Sequence, residues 1–487
     1  MKIGIVARFL AAVTLASSLC LMLPIAWSAG SGDAGLAPLA LSLASGLITS
    51  LLFAAVGRGS LMSEMRTREA VCAVILAWMT ASAIGALPYW FGNYANSPLD
   101  AYFEGVSGFT TTGATVLPRL YAIPRSILLW RSFTQWMGGM GIIVLTLAVM
   151  PVSSAGMKLY ASEIPGPVHE KLTPRIQQTA VFLWKVYIAL TAMQLFFLKL
   201  GGLDFFDSLT LAFSTIATGG FSPYRDSVGH FGSEYVKWVT AVFLFLGGAN
   251  FTVYHAVIVR RSLRPLGEHP EFRFYFSLFA AIGLLMSLTL YAGGVFASLG
   301  EALSQGYFQT VSMISTCGFF VVDYGSWPAS ARCLILLLML VGGCAVSSAG
   351  GITCIRLLVI IKHTREEFLR LLHPRAVIPT RLGNSVAEPW VVSGCFAFFS
   401  AYLGIFALGV IGASLFGQDM ITALSGAAAT LGNVGPGFGM VGPVDSYAVQ
   451  PAGLKIIYIF LMLCGRLEIF TLLLPLYPRF WSEKVSL

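Results

Sequence analysis

Four short segments of this chain share one pattern, and each lies between two long apolar runs. They read Ser107-Gly-Phe-Thr-Thr-Thr-Gly113, Ser214-Thr-Ile-Ala-Thr-Gly-Gly220, Ser312-Met-Ile-Ser-Thr-Cys-Gly318 and Ala429-Thr-Leu-Gly-Asn-Val-Gly435. Aligned on the last glycine, three of the four carry a serine six residues earlier. Three carry a threonine two residues earlier (Thr111, Thr218, Thr316), with Asn433 in the fourth. A Thr-x-Gly pattern repeated between membrane helices is what a filter of backbone carbonyls requires, because glycine tolerates the dihedrals that aim successive carbonyls at one axis. A single copy would pass for an ordinary turn. Four unconnected turns would not share the serine and threonine offsets.

Composition agrees. The chain is 56% hydrophobic and only 11% charged, less than half the charge of a soluble domain. Apolar stretches long enough to cross a bilayer recur from end to end. Spans are expected at about 5–28, 37–57, 70–92, 126–150, 178–200, 236–259, 274–297, 331–361, 391–415 and 453–477. The length of the first favours an uncleaved helix over a secretory leader. Four amphipathic segments, about 98–109, 205–216, 303–314 and 419–430, are too short to cross, and each leads into one of the motifs. These are half-helices that enter the membrane, turn at the motif and leave as extended chain. Such backbone is tolerated at depth only where protein covers it or water lines it.

The net charge of +8 is explained by sidedness and not by nucleic acid. With a cytoplasmic N-terminus and the half-helices entering from outside, 21 of the 30 Lys and Arg residues face the cytoplasm, 8 face outward, and Arg466 lies in the last span. The key glycines 113, 220, 318 and 435 are separated by 107, 98 and 117 residues. Each unit is span, half-helix, filter segment, span. Two crossings per unit leave all four pointing the same way, so they are parallel repeats about an axis along the membrane normal. The expected fold is therefore an all-α polytopic membrane protein with four helix–pore-loop–helix repeats around one central pore, plus two extra N-terminal helices. The divisions are residues 1–69 for the helix pair, then repeats at 70–177, 178–272, 273–388 and 389–487.

The pore chemistry follows. Carbonyls around Thr111, Thr112 and Gly113, Thr218, Gly219 and Gly220, Thr316, Cys317 and Gly318, and Asn433, Val434 and Gly435 are the expected cation ligands. The threonine hydroxyls add oxygens at the base, and each half-helix turns its partly negative C-terminus to the cavity. The residue after the key glycine is Ala114, Phe221, Phe319 or Pro436, so few carbonyl rings match and moderate monovalent selectivity is expected. Span 331–361 is interrupted by Gly342-Gly-Cys-Ala-Val-Ser-Ser-Ala-Gly-Gly351. Close helix packing through small residues is one reading. The other is an unwound gating loop beneath the filter, with Gly342, Gly343, Ser347, Ser348, Gly350 and Gly351 as its movable part. Arg466 either faces the pore, where its charge opposes a continuous leak, or snorkels to the cytoplasmic edge. Asp100 and Asp207 are candidate helix caps that can also draw cations into an outer vestibule.

At these residues the chain resembles the Trk/Ktr/HKT superfamily of potassium transporters, nearest the TrkH-type membrane subunits of bacterial Trk uptake systems. The resemblance covers almost the whole chain. It rests on Thr110-Thr-Thr-Gly-Ala-Thr115, Gln135-Trp-Met-Gly-Gly-Met-Gly-Ile-Ile143, Ile164-Pro-Gly-Pro167, Ile216-Ala-Thr-Gly-Gly-Phe-Ser222, the loop 342–351 and Gly465-Arg-Leu-Glu-Ile-Phe-Thr471. It implies potassium uptake across the bacterial inner membrane, with both termini cytoplasmic. It implies a homodimer in the lipid bilayer with one pore per subunit, and a TrkA-like cytosolic nucleotide-binding regulatory subunit. Potassium is the transported ion, with no organic cofactor and no nucleic acid. By resemblance, the intramembrane loop and Arg466 are the gate. The chain departs from the family pattern at Gly432-Asn-Val-Gly435, at Val346 where a glycine is usual, and in having one glycine fewer near Gly350-Gly351.

Other classes find no support. The histidines form no metal spacing and the spans hold no acid–base cluster, which argues against an enzyme. No span carries arginine at every third position, as a voltage sensor would. The eight cysteines form no CxxC pair and are expected to be buried thiols. A passive gated route and a symport coupled to protons or sodium stay open. The basic stretch 356–388 reflects positive-inside topology or docks a regulatory subunit.

Overall fold

A computed structural model describes residues 2–61, 65–141, 176–376, 378–383 and 385–482. The Ile164-Pro-Gly-Pro167 motif, the 142–150 end of the expected span 126–150, Lys158, Lys171, Arg175 and Lys484 lie outside the described residues. Two short helices, α1 (Ile3–Leu19) and α2 (Met22–Ser31), make the first span, and α3 (Leu36–Val56) is the second. Ser50 of α3 donates a 2.8 Å hydrogen bond to the Ala11 carbonyl, and Gly46 lies against Ser18, so small residues let these helices approach closely.

The repeats follow. Repeat one is α4 (Thr67–Phe91), the half-helix α5 (Pro98–Phe109) and α6 (Arg125–Gly139). Repeat two is α7 (Ile176–Leu200), the half-helix α8 (Phe205–Ile216), α9 (Glu234–Gly248) and α10 (Phe251–Arg260). A five-residue helix, α11 (Arg264–Glu268), leads into repeat three. That repeat is α12 (Pro270–Ala292), the half-helix α13 (Leu299–Ile314), α14 (Ala329–Val341) and α15 (Cys354–Leu372). A hairpin of two-residue strands, β1 (Arg381–Leu382) and β2 (Ser385–Val386), precedes repeat four. Its helices are α16 (Pro389–Leu415), the half-helix α17 (Met420–Leu431), α18 (Ala452–Arg466) and α19 (Ile469–Leu473), and α20 (Arg479–Ser482) follows.

Each half-helix begins at a side-chain cap: Ser97, Asp204, Ser298 and Asp419 accept backbone N–H bonds from the first turn. Asp100 and Asp207 are therefore not caps. They stand three residues further in, where Asp100 accepts a 2.6 Å bond from Lys455 of repeat four and Asp207 accepts from the Tyr224 hydroxyl. The third half-helix starts four residues before the expected position, at Leu299.

Two expected spans are not continuous. Span 236–259 breaks at Ala249–Asn250, where α9 and α10 meet at 94°. Span 453–477 stops at Arg466, and Glu468 adopts φ +59° before the chain restarts at Ile469. Mean hydropathy over a span concealed both breaks, because it reports depth and not helix continuity. The third break, 342–353, falls where the glycine-rich loop was expected.

The repeats are bound together by buried polar pairs. Arg131 and Glu104 form a 2.6 Å ion pair at 3% and 0% side-chain exposure. Glu104 also accepts from the Thr115 hydroxyl and the Val116 N–H, while Arg131 donates to the Ser222 carbonyl and lies 3.5 Å over the Phe221 ring. This pair fastens the exit of the first motif to that of the second. Arg356, the first charge of the basic stretch 356–388, is buried, paired with Glu468 at 2.6 Å and stacked 3.8 Å over Phe398. Deleting one partner of such a pair leaves an uncompensated buried charge, at about 3–5 kcal/mol. Arg131→Met should lower the thermal unfolding midpoint of the detergent-solubilised protein, and adding Glu104→Gln should recover part of the loss. An unchanged midpoint for Arg131→Met would show that the pair carries no stability.

Candidate functional site

The four motifs have one backbone geometry. Thr111, Thr218, Thr316 and Asn433 have φ of +54°, +50°, +58° and +55°, and Gly113, Gly220, Gly318 and Gly435 have φ of +83°, +79°, +78° and +98°. The residue between stays at negative φ. The first positive φ closes the half-helix. The N–H of Thr112, Gly219, Cys317 and Val434 returns to the carbonyl of Ser107, Ser214, Ser312 and Ala429 at 2.8–2.9 Å, the longer-range bond of a Schellman cap. The residue six before the glycine thus acts through its carbonyl, and the hydroxyls of Ser107 and Ser214 have no partner among the described residues. Left-handed φ is costly for β-branched threonine, and three of the four repeats bear that strain. Alternating φ signs turn successive carbonyls to the same side, as an axial row of oxygens demands.

The glycines close a ring. A Cβ on Gly113 would overlap the Gly219 carbonyl oxygen, one on Gly220 the Cys317 oxygen, one on Gly318 the Val434 oxygen, and one on Gly435 the Thr112 oxygen. Each repeat touches the next through the residue before its key glycine, and the fourth returns to the first. The twelve expected ligand residues are therefore brought together in one annulus. Gln135 holds part of it from outside: its Nε2 donates to the Gly219 carbonyl and its Oε1 accepts the Phe221 N–H at 3.0 Å. Asn433 Nδ2 donates to Thr112 Oγ1 at 2.9 Å and to the Met462 carbonyl at 3.0 Å.

Outside the ring lies a cavity of about 370 Å³, lined by Gly113, Gly220, Gly318 and Pro436 and flanked by Arg125, Arg131, Arg225 and Asp445. Neither Asp100 nor Asp207 lines it. At the outer end of the fourth half-helix, the side-chain and backbone hydrogen bonds of Thr422 hold the Asp419 carboxyl below its usual pKa.

Beneath the ring, the second span breaks in repeats two, three and four, at Ala249–Asn250, 342–353 and Leu467–Glu468, and α6 of repeat one ends at Gly139. A glycine permits the close approach before three of these four points. A Cβ on Gly138 would overlap the Phe109 carbonyl, one on Gly465 the Leu431 carbonyl, and one on Gly247 would lie 3.1 Å from the Ile216 oxygen. Only the break of the third repeat was singled out in the sequence. The others were signalled by Gly138-Gly139, Gly247-Gly248 and Gly465, at similar distances after each motif.

The 342–351 loop is held by many bonds. Cys344 and Ser348 N–H donate to the Gly248 and Gly247 carbonyls at 2.9 and 3.3 Å. Glu271 Oε1 accepts the N–H of Ala345 at 2.6 Å and of Ile355 at 3.2 Å, while Oε2 accepts from Asn250. Sequence reasoning missed Glu271, Asn250 and Gln135; their signal was polarity at the edge of, or within, an apolar run. Arg466 does not snorkel. It donates to the Ser348 carbonyl at 2.7 Å and to those of Gly138 and Gly139 at 2.6 and 2.9 Å, cross-linking the loop to the first repeat.

A ring of four backbone segments beneath an outer cavity, among helices long and apolar enough to cross a membrane, is the architecture of a membrane transport protein. The TrkH family, described as cation transport protein, matches residues 44–483. The Trk system potassium uptake protein TrkH of Salmonella typhimurium is 38% identical over 446 residues, covering 89% of this chain and 92% of its own. That of Vibrio parahaemolyticus is 41% identical, covering 86% and 87%. The crystal structure of the potassium transporter TrkH from Vibrio parahaemolyticus superposes with a TM-score of 0.88 at 34% identity, over 99% of this chain and 100% of that one. The chain belongs to the TrkH family of cation transport proteins.

Val346 lies in the loop with φ +53°, and its carbonyl accepts the Phe251 N–H at 3.1 Å. A β-branched residue in left-handed geometry costs roughly 1–2 kcal/mol. Val346→Gly removes that strain and should stabilise the seated loop, lowering uptake by about fivefold or more. Uptake equal to that of the unaltered protein, at equal membrane abundance, would mean that this strain does not bias the loop.

Proposed function

We propose that this chain takes up potassium through the four-segment ring, with the 342–351 loop as its gate. The observation that carries the reading is the closed order of glycine–carbonyl contacts, which aligns four rows of oxygens on one axis. Support for potassium comes from the relatives, which are named potassium uptake proteins. In this reading Thr111–Gly113, Thr218–Gly220, Thr316–Gly318 and Asn433–Gly435 supply the ion's oxygens. Gly342, Gly343, Ser347, Ser348, Gly350 and Gly351 form the moving backbone. Arg466 keeps the loop seated and places positive charge beneath the filter.

The proposal extends to the setting. Charge sidedness supports cytoplasmic termini in a bacterial inner membrane. The family supports a homodimer governed by a TrkA-like cytosolic nucleotide-binding subunit. The route is a gated passive one. The buried carboxylates nearest the ring and the loop, Asp100, Glu104 and Glu271, are each engaged by fixed donors, which favours a passive route over coupling to protons or sodium.

The test is uptake of potassium, rubidium and sodium in a potassium-uptake-deficient strain and in proteoliposomes. Potassium and rubidium should enter faster than sodium. Arg466→Ala, which frees three carbonyls and removes a charge, should raise partner-independent uptake by about tenfold. Equal rates for all three ions would remove the selective filter. Unchanged flux in Arg466→Ala would remove the arginine from the gate.

A further inference from the structure

Thr316 stands at the base of the third filter segment, and its hydroxyl does not point at open space. Its Oγ1 accepts the Gly350 N–H at 2.8 Å. Gly350 belongs to the loop, so one hydrogen bond joins loop and filter directly. The residue at the same position of the fourth repeat adds a second observation. Asn433 is fully buried, its Nδ2 is doubly used, and its Oδ1 has no hydrogen-bond partner among the described residues. A Cβ on Gly350 would lie 2.8 Å from that Oδ1 and 2.9 Å from the Gly432 carbonyl oxygen. The Gly350 backbone therefore fills the space between a threonine hydroxyl, an orphaned amide oxygen and a half-helix carbonyl. These three oxygens surround the Gly350 backbone, oxygens are what a cation takes as ligands, and an unsatisfied buried acceptor calls for an occupant.

We propose that Thr316 Oγ1 and Asn433 Oδ1 form a site that the loop and a monovalent cation occupy in alternation. With the loop seated, Gly350 N–H takes the Thr316 hydroxyl oxygen. When the loop withdraws, that oxygen and Asn433 Oδ1 are free to hold a cation at the base of the filter. Because both occupants need the same hydroxyl, a cation there disfavours the seated loop, and by reciprocity the seated loop disfavours the cation. The gate then responds to the ion it passes. This rests on the reading of the ring as the cation path and the loop as its gate. Asn433 serves better than a fourth threonine, since its amide oxygen reaches further than a hydroxyl while Nδ2 stays fixed to Thr112 and Met462.

The experiment follows the full chain without a partner, by rubidium uptake in proteoliposomes and by hydrogen–deuterium exchange of the peptide covering 342–351. In the unaltered protein the loop should exchange faster in potassium than in N-methyl-glucamine. Thr316→Val keeps the shape but removes the acceptor. It should raise partner-independent uptake by about tenfold and make loop exchange independent of potassium. Gly350→Ala, crowded by Asn433 Oδ1, should do the same. The two together should do no more than the stronger one alone, since they break one contact. Thr316→Ser retains the acceptor and should restore the potassium dependence; it and Gly350→Ala carry the test if Thr316→Val does not fold.

Loop exchange indifferent to potassium in the unaltered protein would overturn the proposal. So would additive effects of the two substitutions, or lowered uptake in Thr316→Val with exchange unchanged. If neither the unaltered protein nor Arg466→Ala takes up rubidium while exchange still depends on potassium, the transport reading fails and the shared site stands.

Discussion

The contact between each key glycine and the carbonyl of the next repeat is the constraint on which the rest of the molecule depends. It admits no side chain at Gly113, Gly220, Gly318 or Gly435, and it is satisfied only when four segments close on one another. The half-helices must then converge with their C-termini inward. That requires capped outer ends, which Ser97, Asp204, Ser298 and Asp419 provide. It also requires left-handed backbone at three threonines, an arrangement that persists only when the surroundings over-determine it. The Schellman bonds, Gln135 and the Arg131–Glu104 pair are those surroundings. Buried polarity in this protein therefore supports one annulus of backbone oxygens more than it supports helix packing in general.

A second level of convergence lies beneath the first. Glycines before the span breaks and at the end of α6 let the outer helices touch the half-helix ends, and each break or end exposes carbonyls or N–H groups that need partners inside the membrane. Those of the first and third repeats meet through one side chain, Arg466, and those of the second and third through Glu271 and Asn250. A loop held this way is not loose. It is fixed at several points, and its backbone carries strain at Val346, with φ +53°.

Much of this was legible in the sequence because it repeats. The offset of Thr111, Thr218, Thr316 and Asn433 from the key glycines located the ring, and segment length separated half-helices from spans. What the sequence concealed was discontinuity. The windows around Ala249 and Leu467 stay apolar on average although Gly247-Gly248, Asn250, Arg466 and Glu468 interrupt them, and mean hydropathy does not tell a bent pair from a straight helix. The partner choices of single charges were hidden too. Asp100 has the spacing of a cap, but Ser97 precedes it and takes that role, leaving Asp100 to Lys455 some 355 residues away. Arg356 reads as one charge in a basic segment until the chain's return in the fourth repeat brings Glu468 to it.

The departures from fourfold symmetry fall together, and that placement carries meaning. Among the described residues the third repeat carries a ten-residue glycine-rich loop where the second and fourth carry short breaks, and the fourth repeat has asparagine where the others have threonine. These two walls are neighbours in the ring, since a Cβ on Gly318 would meet Val434. In the proposed gating, the loop of the third repeat rests against the one wall that differs from the others. Asn433 marks that wall: its Nδ2 ties the fourth wall to the first through Thr112, while its Oδ1 faces Gly350. The ring demands likeness among the repeats, and the seat of the loop uses one unlike pair. The sequence accommodates both by confining the difference to adjacent walls.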